Sequence, residues 1–141
     1  SNDAVFKDAV QRTCQLVDEE VQSKSGVSGM AIKGAYKLFK GVKPGFLEAV
    51  VRELLPEFAE VLNPFFEHAS AESQTAQAHF TTVRQDIAEA LLAVTDKRAE
   101  KSEMQVLRSG YQKLRGTASK HVAEAAPRVG HMLDEVVRSA A

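Results

Sequence analysis

Pro44-Gly45-Phe46-Leu47-Glu48-Ala49-Val50-Val51-Arg52-Glu53-Leu54-Leu55-Pro56-Glu57-Phe58-Ala59-Glu60-Val61-Leu62-Asn63-Pro64-Phe65-Phe66-Glu67-His68-Ala69 is the most apolar run of the chain. Leu47, Val51, Leu54, Phe58, Leu62 and Phe65 recur every three or four residues through it. That is the spacing of one helix face, not the alternation of a strand. Pro56 and Pro64 cut across the pattern, and a proline inside a helix removes a hydrogen bond and clashes with the preceding turn. The expected outcome is a series of short helices, with Pro56 and Pro64 in first turns and Asn63 as an N-cap. One continuous helix carrying both prolines is the alternative.

The same periodicity extends in both directions. On the N-terminal side, Phe6, Val10, Thr13, Val17 and Val21 mark a helix from about residue 4, with Asp3 as its N-cap. Residues 23–29 then read as a loop, and Ser28 can cap a second helix from about Gly29 to Lys40, ended by Gly41 and Pro44. On this second helix Ala31, Ala35, Leu38, Phe39 and Val42 share a face expected to pack in the core. Ile32 and Tyr36 lie at its margin, and Lys33, Lys37 and Lys40 form a separate stripe. Gly34 and Gly41 share a line with Met30, where another helix could approach closely.

On the C-terminal side, Phe80, Val83, Ile87, Leu91 and Val94 predict one long helix over roughly 71–95, followed by a charged break from Asp96 to Lys101. Ser102 would cap a further helix ending near Gly116, and two last segments would meet at Pro127. No stretch alternates well enough to argue for a strand. The fold class is therefore all-α, a bundle of about six helices with proline-broken segments.

The chain of 141 residues is long enough for one domain with its own core. It is 44% hydrophobic and 26% charged, a globular balance, with a net charge of −1 that draws it to neither nucleic acid nor a membrane. Its one cysteine, Cys14, excludes an internal disulfide and a cysteine-based zinc site. No signal peptide and no long apolar run are evident, so a cytoplasmic location is expected. The chain begins Ser1-Asn2, which reads as the remnant of a cleaved expression tag, leaving 3–141 as a single helical domain.

Two halves of that domain, 3–70 and 71–141, resemble one another. Ala31-Ile32-Lys33-Gly34-Ala35-Tyr36-Lys37-Leu38-Phe39-Lys40-Gly41 lies on Val106-Leu107-Arg108-Ser109-Gly110-Tyr111-Gln112-Lys113-Leu114-Arg115-Gly116, pairing the only two tyrosines. Pro56 lies on Pro127 at an offset shorter by four residues, as if the second half lacked the loop Val42–Gly45. A duplication would predict helix, helix and kinked helix twice about a pseudo-two-fold axis. Shared amphipathic periodicity would produce part of this match unaided.

Charge is segregated as well. Residues 22–43 carry five lysines and no acid, 44–96 two arginines against nine acids, and 97–120 seven bases against two acids. Lys33, Lys37, Lys40, Tyr36, Arg108, Tyr111 and Arg115 thus form the candidate anion- or partner-binding surface, although charged runs on helices are usually solvated faces. A weaker anion site is the loop holding Lys24, Gly26, Ser28 and Gly29, which is not a Walker loop because no Gly-Lys-Ser/Thr closes it.

Tyr36 and Lys40 have the spacing used by short-chain dehydrogenases, but no strand or glycine-rich turn could seat a dinucleotide. His68 with Glu72, and His131 with Glu135, have helical i,i+4 spacing, yet neither His-Glu-x-x-His nor Glu-x-x-His occurs, so no metal or cofactor is expected. Packed or solvated histidines, and Cys14 as a small filler, are the plainer readings.

Lys24-Ser25-Gly26 through Lys43-Pro44-Gly45, Leu55-Pro56, Leu62-Asn63-Pro64, Asp96-Lys97-Arg98-Ala99, Tyr111 through Gly116, His121-Val122 and Ala126-Pro127 are similar, as a set, to an uncharacterised bacterial family of small helical proteins known only as a domain of unknown function. The resemblance implies a helical fold over most of the chain and no catalytic residues. The working reading is a non-enzymatic binding or assembly protein with a basic, tyrosine-bearing surface, working as a homodimer or on an acidic protein or anionic ligand. The alternatives are peripheral membrane binding, disfavoured because the second helix is expected to pack inward, and a small enzyme with a His/Glu/Tyr pocket. Nucleic acid is not expected as a partner.

Overall fold

The computed structural model describes residues 2–141, and every described element is helical: α1 Asn2–Ser23, α2 Gly26–Lys40, α3 Phe46–Ala71, α4 Ala76–Thr82, α5 Arg84–Lys101 and α6 Gln105–Ala140. The all-α class and the six helices follow from the apolar spacing, but several boundaries do not. α3 runs through Pro56 and Pro64 instead of breaking there. Both prolines lie on the exposed side, as do Arg52 and Glu60, whose carbonyls they leave without an intrahelical partner. Water can satisfy those carbonyls, so the helix survives. Asn63 consequently sits inside the helix and donates to Glu67 at 2.8 Å instead of capping.

The helix expected over 71–95 is two. A turn at residues 72–75, with Ser73 at φ 56°, precedes α4, and Val83 separates α4 from α5. α5 then continues through the charged run Asp96–Lys101, because its charged residues face outward or pair across to neighbouring helices, Asp96 with α6 and Arg98 with Glu53 and Glu57 of α3. α6 is one helix of 36 residues that passes both Gly116 and Pro127. Thr117 follows Gly116, where the corresponding Gly41 leads into the turn Val42–Gly45, so nothing reverses the chain.

α2 begins at Gly26 with Ser25 as N-cap, three residues before the expected start. It also faces another way. Ile32, Ala35, Tyr36 and Phe39 turn inward, whereas Ala31 is exposed and Leu38 is 70% exposed. The margin of the expected face is thus its centre. Gly34 meets open space, with no helix close to it.

α6 packs chiefly against α4 and α5, while α3 lies against α1, α4 and α5. The close fit of α4 on α6 has a local cause. A Cβ on Gly130 would come within 2.7 Å of the Ala76 carbonyl oxygen, so only glycine allows this approach. One turn on, the Asp134 carboxylate accepts from the Ala76 and Gln77 amides at 2.9 and 3.1 Å, and Thr75 Oγ1 accepts from the Ala78 amide at 3.1 Å. Three of the free amides at the α4 N-terminus are thereby satisfied. Phe80, Ile87, Leu62, Ala76, Ala126 and Val129 make the dry core at this end.

The other end is less filled. A compact monomer of 15.4 kDa exposes about 7,200 Å² by size scaling; this chain exposes 8489 Å². Among the described residues, the backbones of α1 and α5 stay more than 8 Å apart, and the space between them is hollow.

Candidate functional site

The hollow is a cavity of about 670 Å³, open at its mouth and walled by α1, α3, α5 and α6, with Ile32 of α2 and Lys24 at its edge. Its position follows from side-chain size. Ala9, Thr13, Ala59, Ala118 and Ala125 face it, and side chains this short cannot cross the gap that α1 leaves. Residues that sequence periodicity places in the core, including Val17, Phe58 and Leu133, are therefore only half-buried. The volume lies within the range of about 300–1,000 Å³ usual for small-molecule sites, and so does the largely apolar wall.

Few polar side chains reach this wall, and nearly all are engaged. Thr13 donates to the Ala9 carbonyl at 2.7 Å, and Thr95 shares a 2.7 Å bond with the Tyr111 hydroxyl. Lys24 is buried, with its ammonium 3.3 Å from Glu20 and 3.4 Å from Glu124; Glu20 also takes Arg128 at 3.1 Å. His121 differs. Both of its ring nitrogens are buried and neither has a hydrogen-bond partner. An unpaired buried polar group costs about 1–3 kcal/mol. Periodicity did not single out this residue, because a histidine among alanines and valines on a helix shows nothing of what its ring meets.

The residues singled out by sequence fall into two similar clusters. Tyr36 donates to Asp18 of α1 at 3.1 Å, and Lys40, one turn on, pairs with the same carboxylate at 3.4 Å. Tyr111 donates to Asp96 of α5 at 2.5 Å, and Arg115, again one turn on, donates to Asp96 at 2.8 and 3.2 Å. Each cluster clamps an aspartate of the preceding helix between a tyrosine and a base four residues later. Burial, then the Asp18 carboxylate, pushes the Tyr36 hydroxyl well above the ordinary tyrosine range. Burial, then Asp96, pushes Tyr111 up to about 12. The Arg115 guanidinium first, and the Tyr111 hydroxyl second, hold the Asp96 carboxyl below its usual range, and Asp96 in turn raises Arg115. Neither tyrosine is poised to lose a proton near neutral pH, so both act as fixed donors that tie helices together. The tyrosine and the base of the two clamps recur at the interval of the sequence repeat, whereas Asp18 and Asp96 lie three residues out of that register.

The remaining candidates are dispersed. Arg108 bonds to the Ser102 carbonyl at 2.7 Å and to Gln105, next to its own helix start. Lys33 and Lys37 are exposed, and among the described residues neither pairs with a carboxylate. In the loop, the Lys24 ammonium is taken by carboxylates. Gly29 is held 2.8 Å (measured from a Cβ built on it) from the Lys24 backbone, and Gly26 supplies a φ of 74°. The glycines thus serve the turn into α2. His131 lies 3.8 Å from Glu135, and the His68 and His79 rings meet at a tilt with centroids 4.7 Å apart. Among the described residues no three His, Cys, Asp or Glu side chains gather as a metal-ligand set. Burial, with Glu48 nearby, raises the Cys14 thiol, away from the reactive thiolate. No described helix is long and apolar enough to cross a membrane.

No curated protein and no solved structure matches the chain. A family model matches residues 1–137, a length that includes all four cavity walls and both tyrosine clamps, and the chain therefore belongs to the family of unknown function DUF6918.

Proposed function

We propose that this is a non-enzymatic binding protein whose cavity holds an elongated apolar molecule with a small polar head. The observation that carries the reading is the cavity of about 670 Å³ between α1, α3, α5 and α6, where His121 is, among the described residues, the one lining side chain with buried polar atoms that lack a partner. Empty, an open cavity of that size leaves its largely apolar wall against water, which is unfavourable. Water is a poor filler where the wall offers so few hydrogen bonds. A hydrocarbon chain would gain about 0.8 kcal/mol for each methylene it buries. His121 lines the cavity with both ring nitrogens unpaired, so a carboxyl or hydroxyl head that reached the ring would give it a partner.

A single polar side chain without a partner favours binding over catalysis, because an enzyme site needs several convergent groups. A bacterial cytoplasmic setting belongs to the same proposal, motivated by the family resemblance and the single cysteine. A homodimer is also proposed, and the same experiment reads it.

Native mass spectrometry of the purified protein should show a bound small molecule, or uptake of a long-chain fatty acid when one is added, together with the subunit number. Ala118→Phe, which puts a ring into the cavity, should abolish uptake while the far-ultraviolet circular dichroism stays helical. Equal uptake by that variant, or no uptake of any single-chain amphiphile by the wild type, overturns the reading.

A further inference from the structure

We propose that the outer face of α2 docks on an anionic lipid surface. Val27, Met30 and Leu38 are 88%, 73% and 70% exposed on that face. At 100° per residue they fall within one arc together with Ala31 and Gly34, on the side of α2 away from the inward-facing Ile32, Ala35, Tyr36 and Phe39. Three large apolar side chains this open on one short helix are more than scattered surface residues require. Lys33 and Lys37 lie side by side along one margin of the arc, with Lys37 next to Met30.

Charge decides the occupant. No acid occurs between Glu20 and Glu48, so a stretch of chain that contains all of α2 carries only positive charge. Lys24 is neutralised by Glu20 and Glu124, and Lys40 is engaged by Asp18 and lies over the Tyr36 ring at 5.0 Å. Lys33 and Lys37 stay exposed without a carboxylate, and Lys43 is exposed at the end of the helix. An apolar stripe bordered by free lysines is the pattern of a helix lying in the headgroup layer. A second copy is a poorer fit. Two α2 faces brought together about a two-fold axis would set one positively charged face against another. The docking is independent of what fills the cavity, although Ile32, on the opposite side of the same helix, lines it.

The test is flotation of the full chain with vesicles of pure phosphatidylglycerol and of pure phosphatidylcholine, at low and high salt. The wild type should float with phosphatidylglycerol at low salt, and less so at high salt or with phosphatidylcholine. Each lysine near an anionic surface contributes roughly a fivefold gain in binding, so Lys33→Glu with Lys37→Glu should weaken flotation by at least about tenfold. Leu38→Glu should do the same without altering the charge pattern on the lysine side. Lys97→Glu with Lys101→Glu changes net charge equally on exposed positions of α5 and should leave flotation near the wild-type level. These sites are exposed, and circular dichroism verifies that each variant is folded. Absence of wild-type flotation overturns the proposal, as does equal loss in the α5 control. A wild-type dimer that Leu38→Glu makes monomeric, with no vesicle binding, assigns the face to a second copy and also overturns it. Cavity occupation is read separately by fatty-acid uptake without vesicles, so either idea can fail alone.

Discussion

Asp96 accepts three hydrogen bonds from two side chains of α6, and this makes its clamp a pH-dependent tie. Its carboxyl is held below the usual range, so the tie contributes fully above the unfolded-chain value of about 3.9 and is lost as pH falls through the lower folded value. Asp96→Asn should lower stability at pH 7 by roughly 1 kcal/mol, a figure reduced for the partial exposure of the pair. In urea melts the difference from wild type should shrink to nothing in strong acid; a constant difference at all pH values would contradict the assignment. The tyrosines give the opposite sign. Their hydroxyls are raised, so their bonds persist below the unfolded value of about 10 and are lost only as pH climbs through the raised folded values, about 12 for Tyr111. With two tyrosines and no tryptophan, ultraviolet titration should show no phenolate until well above pH 10. His121→Leu removes two unpaired ring nitrogens from the interior, so it should raise the ligand-free melting stability by about 1 kcal/mol while weakening uptake of a polar-headed ligand. A loss of stability would mean that the imidazole has a partner in solution.

α4 has seven residues, too few to be helical alone, so its existence is a property of α6. Gly130→Ala forces a Cβ against the Ala76 and Gln77 backbone and should cost about 1–3 kcal/mol by overpacking. Gly34→Ala, in α2 with nothing nearby, should instead stabilise by up to about 1 kcal/mol. Urea melts of the two variants moving in the same direction would refute this packing account. The contrast also separates what periodicity reveals from what it hides. Phe80, Ile87 and Val94 read correctly as one buried stripe, and they are buried, yet Val83 keeps the same spacing across the break between α4 and α5 and so conceals it. Pro56 and Pro64 read as breaks because sequence alone does not show that they, with Arg52 and Glu60, lie on the exposed side of α3. The tyrosine-base pairs were visible as a repeat, but their aspartates were not, since Asp18 and Asp96 are brought in by neighbouring helices. The cavity left no signal, because Val17, Phe58 and Leu133 have the same spacing whether a neighbour fills the space before them or not.

Taken whole, the molecule has a dry end, where α3 to α6 interlock around Phe80 and Ile87, and a hollow end, closed on one side by α1 alone. Local opening free energy follows the density of buried apolar contact, so the two ends should differ in dynamics. α1 buries only Val10 completely and is joined to the rest through α2, α3 and α6, without α5. Its amides should exchange with solvent faster than those of α4 and of residues 123–130 in α6, which contain Ala126 at 0% exposure. A ligand that fills the cavity supplies the contacts α1 lacks, and by mass action it stabilises only the state in which α1 is closed. Hydrogen exchange followed by mass spectrometry should therefore show strong added protection in α1, moderate protection over the facing walls of α3, α5 and α6, and none in α4, which lines no part of the cavity. Uniform protection along the chain would mean that the ligand binds elsewhere or raises global stability alone, and the division into a rigid end and a loadable end would then be wrong.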